Sequence, residues 1–148
     1  MSEGVLAAIR LRSKLEIPEK PQLLIAVKLQ TASTDREAGA AIAINTLALL
    51  DTGASKTAIC IDLLDQIQAE RYSLLEVKTA NGRVPRYSRF ISLSMCDGDG
   101  VIFKMFKDIE IIEYQTDVDD RYKVLLGMDL LGQFAAVKIS GFELTFSV

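Results

Sequence analysis

One stretch of the chain places an isolated carboxylate between an apolar run and a group of small residues. The stretch is LALLDTGAS, residues 47 to 55, and the carboxylate belongs to Asp51. An ionised carboxylate at the end of an apolar strand is poorly solvated, so it must be hydrogen-bonded, paired or partly protonated. Gly53 permits a tight turn that brings its N–H near the acid, while Ala54 and Ser55 leave space in front. The stretch predicts an acid group in a narrow, accessible slot.

The composition restricts the chemistry that this acid group can join. The chain has 148 residues, of which 49% are hydrophobic and 25% charged, which suits one domain with a sizeable core. It contains no histidine, so Ser-His-Asp catalysis, Cys-His catalysis and histidine metal sites are excluded. The two cysteines, Cys60 and Cys96, lack the number and spacing of a disulfide framework or zinc site and are interpreted as buried free thiols. We expect no metal and no other cofactor.

Charge and hydropathy indicate which kinds of binding partner and which cellular compartment to expect. The net charge is −3 and no basic stripe is present, which argues against nucleic acid. No run of about 18 uncharged apolar residues occurs, and the first residues lack the order of a secretory signal. We therefore expect a cytoplasmic protein with no membrane partner.

Strand patterns dominate the rest of the chain. Residues 22–29 and 40–50 are apolar runs that predict a hairpin with a long loop. Residues 72–95 predict a second hairpin around Asn81-Gly82, because both residues tolerate positive φ. Further strands are predicted within residues 101–112, 135–140 and 142–148, and short helices within residues 58–68 and 128–134.

Two apolar segments of the chain echo each other. LALLDTGAS and KVLLGMDLL both run from an apolar strand into a glycine, and these glycines, Gly53 and Gly127, lie 127 − 53 = 74 positions apart. The pattern predicts two strand ends side by side. Asp129, which follows the second glycine, is interpreted as capping a helix rather than as a catalytic partner of Asp51 within one chain.

A single carboxylate is a poor catalyst of peptide hydrolysis. The reaction needs a base for the attacking water and an acid for the carbonyl oxygen or leaving nitrogen. Two carboxylates that share one proton provide both groups. Because the chain has one such motif, a second copy around a two-fold axis would supply the second Asp51.

These residues resemble the signatures of a known family. LALLDTGAS is similar to the active-site loop of retropepsin-like aspartic proteases, the single-domain relatives of pepsin. KVLLGMDLL resembles their second signature, and VKTANG resembles the rising arm of the flap in cellular and bacterial members. In viral members an Arg follows the second-signature Gly and pairs with an Asp directly after DTGA. Met128 and Ser55 occupy those places here, so both halves of that ion pair are absent.

The resemblance implies an all-β, mostly β fold: a closed, barrel-like acid-protease domain with one or two short helices, working as a homodimer. The protease domain would span residues 21–148, after a segment, residues 1–20, that is an edge strand or a pro-segment. The C-terminal strand, residues 142–148, is the expected interface piece, paired with the termini of the partner.

The resemblance also implies roles for individual residues. Asp51 of each subunit would form the catalytic dyad, Thr52 would hydrogen-bond across the two-fold axis, and the Gly53 carbonyl would receive the substrate backbone. An extended peptide would bind by strand addition under the flap. The substrate-binding residues would be Gly53, Ala54, Ser55, Ala80, Asn81 and Gly82.

The predicted function is therefore an aspartic endopeptidase. The alternative is a catalytically inactive, dimeric peptide-binding or assembly module of the same fold. Retention of the complete DTGA motif around Asp51 favours the enzyme, since loss of the acid is the expected change in an inactive relative.

Overall fold

The computed structural model of the chain describes residues 8–12, 23–35, 41–79, 82–115, 123–140 and 143–147. These residues form mostly strands, with two short α-helices and one 3-10 turn, Ser33–Asp35, as the all-β prediction requires. In chain order the elements are β1 (Ala8–Arg12), β2 (Leu24–Thr31), β3 (Ala43–Leu50), β4 (Ala58–Cys60), α1 (Ile61–Gln66), β5 (Arg71–Thr79), β6 (Gly82–Cys96), β7 (Ile102–Tyr114), β8 (Val124–Leu126), α2 (Met128–Leu131), β9 (Ala136–Ser140) and β10 (Glu143–Ser147).

Six of the strands close into a barrel. The order is β2-β3-β8-β4-β7-β6, and β2 pairs with β6 to complete the circle, while β5 is attached outside β6. Closure gives each of these six strands a partner on both sides, which removes the free sheet edges that would invite further strand pairing. The interior is apolar, and Leu29, Ile91, Leu93 and Ile111 are fully buried in it. The predicted closed barrel is confirmed.

The two echoing strand ends lie side by side at one end of the barrel. β3 and β8 run parallel, with Ala48 opposite Val124 and Leu50 opposite Leu126. Ala48, Leu50, Val124 and Leu126 are all buried, so the last residues of both strands lead from the apolar interior to the same edge. The adjacency predicted from the repeated pattern is confirmed, and it brings the residues after Leu50 next to those after Leu126.

Both predicted hairpins are present. β2 and β3 pair antiparallel, with Leu24 opposite Leu49. β5 and β6 also pair antiparallel, up to Thr79 opposite Gly82, and Gly82 has the positive φ of +106° that glycine adopts without strain. The β5–β6 hairpin therefore projects from the barrel, because only the second half of β6 belongs to the barrel wall. Ala80 and Asn81, between the two strands, lie outside the described residues.

The segment 58–68 differs from its prediction at its beginning. The pattern predicted a helix, but Ala58–Cys60 is the strand β4, which pairs with both β7 and β8. The helix α1 begins only at Ile61. The sequence pattern does not distinguish a helix from a short buried strand at these residues, because an apolar residue such as Ile59 suits both. In the structure Ile59 is fully buried in β4. Leu63, Leu64 and Ile67 are buried, as the helical pattern predicted.

A separate three-stranded sheet has the order β1-β10-β9. β10 is its middle strand, so both of its edges are paired within the chain. The expectation that β10 pairs with the termini of a partner is therefore wrong for this strand. Residues 8–12 form an edge strand, whereas a pro-segment role for residues 1–20 stays a prediction. The Phe134 ring contacts those of Phe106 and Phe146, which packs this sheet against the barrel.

The base of the β5–β6 hairpin contains an ion-pair network, centred on the buried pair Arg89 and Glu113, that the sequence patterns did not predict. Glu113 of β7 accepts hydrogen bonds from Arg71 of β5 and from Arg89 of β6, with Nε–Oε2 distances of 3.2 and 2.8 Å. Arg89 also donates through Nη1 to Asp65 Oδ1 and to the carbonyl of Ala69, both at 2.8 Å. The network joins both strands of the hairpin to β7 and to the end of α1.

Two further sequence expectations concern thiols and membranes. Cys60 and Cys96 are free and buried, as predicted. Within the part of the chain that the structure describes, neither helix is long and apolar enough to cross a membrane.

Candidate active site

Asp51 follows directly after β3, where the two echoing strand ends meet. Its backbone N–H donates to the carbonyl of Leu126 at 2.9 Å, which ties it to the end of β8. Its own carbonyl accepts from the N–H of Ala54 at 3.2 Å, closing a tight turn. Its carboxylate oxygen Oδ1 accepts from the N–H of Gly53 at 3.1 Å. The carboxylate is thus held by backbone at the strand end, in the arrangement that the sequence predicted.

The residues after Asp51 leave the carboxylate open to solvent. Asp51 and Ala54 are half-buried, and the neighbouring Thr52, Gly53 and Ser55 are exposed. A Cβ atom on Gly53 would lie 3.4 Å from Asp51 Oδ1, in van der Waals contact with the carboxylate oxygen, so a side chain here would stand directly beside the acid. Small residues therefore keep one side of the acid accessible, which a reacting molecule requires.

The loop formed by residues 51–57 rests on the segment 126–129, which joins β8 to α2. The carbonyl of Ala54 accepts from the N–H of Met128 at 2.8 Å, and the carbonyl of Ser55 accepts from the N–H of Asp129 at 3.2 Å. Ser55 and Met128, which lack the charges of the viral ion pair, thus lie in segments that meet through backbone hydrogen bonds. The segment that contains the second signature, KVLLGMDLL, therefore supports the loop that contains the first, LALLDTGAS, through backbone hydrogen bonds.

Asp129 lies in the first turn of α2, and its contacts extend beyond that helix. Its Oδ1 accepts from the N–H of Leu130 at 3.0 Å, but Asp129 is not the N-cap residue that the sequence suggested, because the N-cap of α2 is Gly127 and makes no side-chain cap hydrogen bond. The same oxygen also accepts from the N–H and the hydroxyl of Thr57, at 2.9 and 2.8 Å. Sequence reasoning missed this second role, because Thr57 and Asp129 lie 72 positions apart and neither belongs to a recognisable pair pattern.

The chain is similar to the crystal structure of a retropepsin-like aspartic protease from Rickettsia conorii, with a TM-score of 0.60 and 20% sequence identity, over 96% of this chain and 91% of that one. It is also similar to EIAV protease complexed with the inhibitor HBY-793, with a TM-score of 0.54 and 14% identity, over 85% of this chain and 100% of that one. The fold is that of a retropepsin-like aspartic protease. No family model and no curated protein matches the sequence.

Within this retropepsin-like fold, the predicted site residues fall into two groups. Asp51, Thr52, Gly53, Ala54 and Ser55 share the loop after β3. Gly82 begins β6 at the far end of the β5–β6 hairpin, and its predicted neighbours Ala80 and Asn81 lie outside the described residues. The structure places no cluster of three or more His, Cys, Asp or Glu for a metal ion among the residues it describes.

Lys56 and Glu110 form a second charged group. It connects the loop of residues 51–57, called the Asp51 loop below, to the base of the β5–β6 hairpin. Lys56 lies 3.4 Å from Glu110 Oε1, and the hydroxyl of the fully buried Ser88 donates to Glu110 Oε2 at 2.7 Å. The Ser88 hydrogen bond, together with the nearby Lys56 charge, holds the pKa of Glu110 below its ordinary value of 4.5, although partial burial opposes this. Glu110 is consequently an anion at neutral pH and anchors the loop at Lys56.

Proposed function

We propose that this protein is an aspartic endopeptidase whose active centre is a pair of Asp51 carboxylates contributed by two copies of the chain. The observation that carries the proposal is the placement of Asp51. It is half-buried at the end of β3, hydrogen-bonded on one oxygen by Gly53 and accessible from one side, inside a retropepsin-like fold. The similarity to the Rickettsia protease and to EIAV protease supports the same reading.

A second copy is proposed because one chain offers Asp51 no acidic partner in the part described. No other carboxylate there is hydrogen-bonded to Asp51, and the nearest acid along the supporting segment, Asp129, is bound to Thr57 and Leu130. A two-fold axis beside the Asp51 loop would bring two such loops together. The hydroxyl of Thr52, exposed in one chain, is then free to hydrogen-bond across the axis.

The proposed chemistry uses one proton shared by the two carboxylates. Mutual repulsion keeps one Asp51 protonated while the other is ionised. The ionised carboxylate accepts a proton from a water molecule as the water oxygen bonds to the scissile carbonyl carbon, and the other carboxylic acid donates its proton to the carbonyl oxygen. As the carbon–nitrogen bond of the gem-diol breaks, the carboxylic acid formed in the first step donates its proton to the leaving nitrogen, and the ionised carboxylate accepts a proton from a gem-diol hydroxyl, which gives a carboxylic acid and an amine. The pair ends with one proton, as it began.

The proposed substrate is an extended peptide or protein segment lying across the Asp51 loop. The carbonyl of Gly53 would accept from its backbone, while Ala54 and Ser55 line the space beside the acid. The end of the β5–β6 hairpin, with Ala80, Asn81 and Gly82, would cover the segment from the other side. Recognition then works by strand addition, in which main-chain hydrogen bonds bind the peptide and alternate side chains enter pockets.

The test is digestion of an unfolded peptide mixture, followed by mass spectrometry of the fragments. The native protein is expected to cleave, Asp51→Asn to be inactive, and Asp99→Asn, which changes an exposed carboxylate in the turn after β6, to cleave like the native chain. The rate should fall at alkaline pH, when both carboxylates of the pair are ionised. No cleavage above background by any of the three would favour the peptide-binding module, and a flat rate from about pH 4 to about pH 10 would contradict the shared proton.

A further inference from the structure

We infer that Asp129 is a positioning residue for the Asp51 loop, and that it acts through the buried threonine Thr57. The inference deepens the proposed function and rests on it for its catalytic readout. The structural part of the inference is that a carboxylate of α2 holds the end of the loop in place. It depends only on contacts within one chain and is tested separately.

The first observation is that Thr57 is fully buried and has every polar group engaged. Its N–H and its hydroxyl both donate to Asp129 Oδ1, at 2.9 and 2.8 Å. The hydroxyl oxygen accepts from the N–H of Gly127 at 3.1 Å, and the carbonyl accepts from the N–H of Ile112 at 3.1 Å. A hydroxyl that donates and accepts in a buried site has one orientation, so Thr57 cannot rotate without losing hydrogen bonds.

The second observation is that both ends of the loop are bound to the same short segment. Asp51 is joined at its N–H to Leu126, and Thr57 is joined to Asp129 three residues further on. The seven residues from Asp51 to Thr57 include the proposed catalytic acid and the proposed substrate contacts of the loop. Because the anchors belong to one continuous segment, the position of Asp51 relative to the end of β8 is fixed from both sides.

The third observation shows how a positioning role of Asp129 can be distinguished from a role in proton transfer. Among the described residues, every hydrogen bond to the Asp129 side chain goes to Oδ1. An asparagine at this position retains an Oδ1 acceptor, and its amide group replaces the oxygen that makes none of these bonds. Asparagine can therefore hold Thr57, although it cannot donate and recover a proton as a catalytic acid must.

Removal of the side chain should disturb the loop more than the rest of the fold. In Asp129→Ala the N–H and the hydroxyl of Thr57 lose their acceptor in a buried site, so the loop must shift to find another. A displacement of about 1 Å at a reacting group is enough to reduce catalysis about a hundredfold. Peptide affinity depends on many contacts spread along an extended strand, so it should change less.

The kinetic test compares kcat and KM for one cleaved peptide. Asp129→Ala is expected to lower kcat by at least about tenfold with KM changed less than about threefold, while Asp129→Asn stays within about threefold of the native kcat. The matched control is Asp62→Ala, which removes an exposed aspartate from the first turn of the other helix and should change neither constant. Full kcat in Asp129→Ala overturns the inference. Equal inactivity of the alanine and asparagine variants also overturns it, and assigns proton transfer to Asp129 instead.

The structural test does not depend on catalysis. The amide hydrogen of Thr57, which donates to Asp129 Oδ1, should exchange with solvent at least about tenfold faster in Asp129→Ala, with no matching acceleration in β6, and near the native rate in Asp129→Asn. The conservative variant Thr57→Val, which removes only the hydroxyl, should accelerate amide hydrogen exchange at Gly53 and Ala54 without accelerating exchange in β6. A Thr57 amide that exchanges at the native rate in Asp129→Ala contradicts the inference even in an active protease. Accelerated exchange of the Thr57 amide in Asp129→Ala, in a protein that cleaves no peptide, contradicts the proposed function alone.

Discussion

Gly127 lies against the peptide bond that joins Lys56 to Thr57, so close that a Cβ atom on Gly127 would be 2.5 Å from the carbonyl carbon of Lys56. Both neighbours in this contact are backbone, so neither can move away as a flexible side chain would. The glycine of the second signature is thus required by the close approach of two chain segments and not by its own backbone conformation.

Gly127→Ala is therefore expected to be destabilising and to impair cleavage. The added methyl group must push the Asp51 loop away from the β8–α2 segment, at a cost of at least about 2 kcal/mol in the free energy of unfolding. Urea unfolding at neutral pH measures this loss in the free energy of unfolding. The control is Gly98→Ala, because a Cβ atom on Gly98 would meet no atom within 4 Å. Equal free energies of unfolding for Gly127→Ala and Gly98→Ala would contradict the close contact between Gly127 and the Lys56 carbonyl group.

Arg89 provides a prediction about the base of the β5–β6 hairpin. Arg89→Met leaves the buried Glu113 with Arg71 as its cationic partner and removes the ion pair with Asp65. Breaking one side of a buried network destabilises by about 3 kcal/mol, since a charge then stays buried without full compensation.

The control for Arg89 is Arg83→Met, in the same hairpin. Arg83 is about three-quarters exposed and lies 3.8 Å from Glu76, so its replacement should change the free energy of unfolding by less than about 0.5 kcal/mol. Urea denaturation curves of the two variants make the comparison. A loss below about 1 kcal/mol for Arg89→Met would mean that the network is not needed to hold the hairpin.

Ser88 leads to a prediction about the pH dependence of stability. Its hydroxyl bond to Glu110 is the main cause that lowers the pKa of this carboxyl group in the folded protein. A lowered folded-state pKa stabilises the protein above the unfolded-state pKa, and the benefit is lost as the pH falls through the folded-state value. Ser88→Ala should therefore cost about 1 kcal/mol at neutral pH, and this difference should shrink below about pH 4. An equal difference at pH 7 and pH 3 would contradict this.

The local features of the fold were accessible from sequence because short patterns determine them. The sequence predicted a strand within residues 142–148, where β10 lies, and Asn81-Gly82 predicted the second hairpin. The repeated run into Gly53 and Gly127 predicted that two strand ends meet. Each of these conclusions needs only neighbouring residues and the period of a strand.

The features that sequence did not predict depend on contacts between distant residues. Arg89 and Glu113 are charged residues in strands, and nothing local distinguishes a buried pair from two exposed side chains. The hydrogen bond between Thr57 and Asp129 joins the residue before β4 to the first turn of α2, 72 positions further along the chain. The pairing of β10 on both sides within one chain likewise became visible only once β1 was placed beside it.

The central claim is that catalysis requires Asp51 from two chains at once. Subunit mixing tests it directly: native chains and Asp51→Asn chains are unfolded together in equal amounts, refolded, and assayed for cleavage at constant total concentration. Random pairing leaves about one quarter of the native activity, because only native–native pairs carry both acids. Mixing with Asp99→Asn instead should leave full activity. A residual activity of about one half after mixing with Asp51→Asn would mean that each chain acts alone, and would contradict the account.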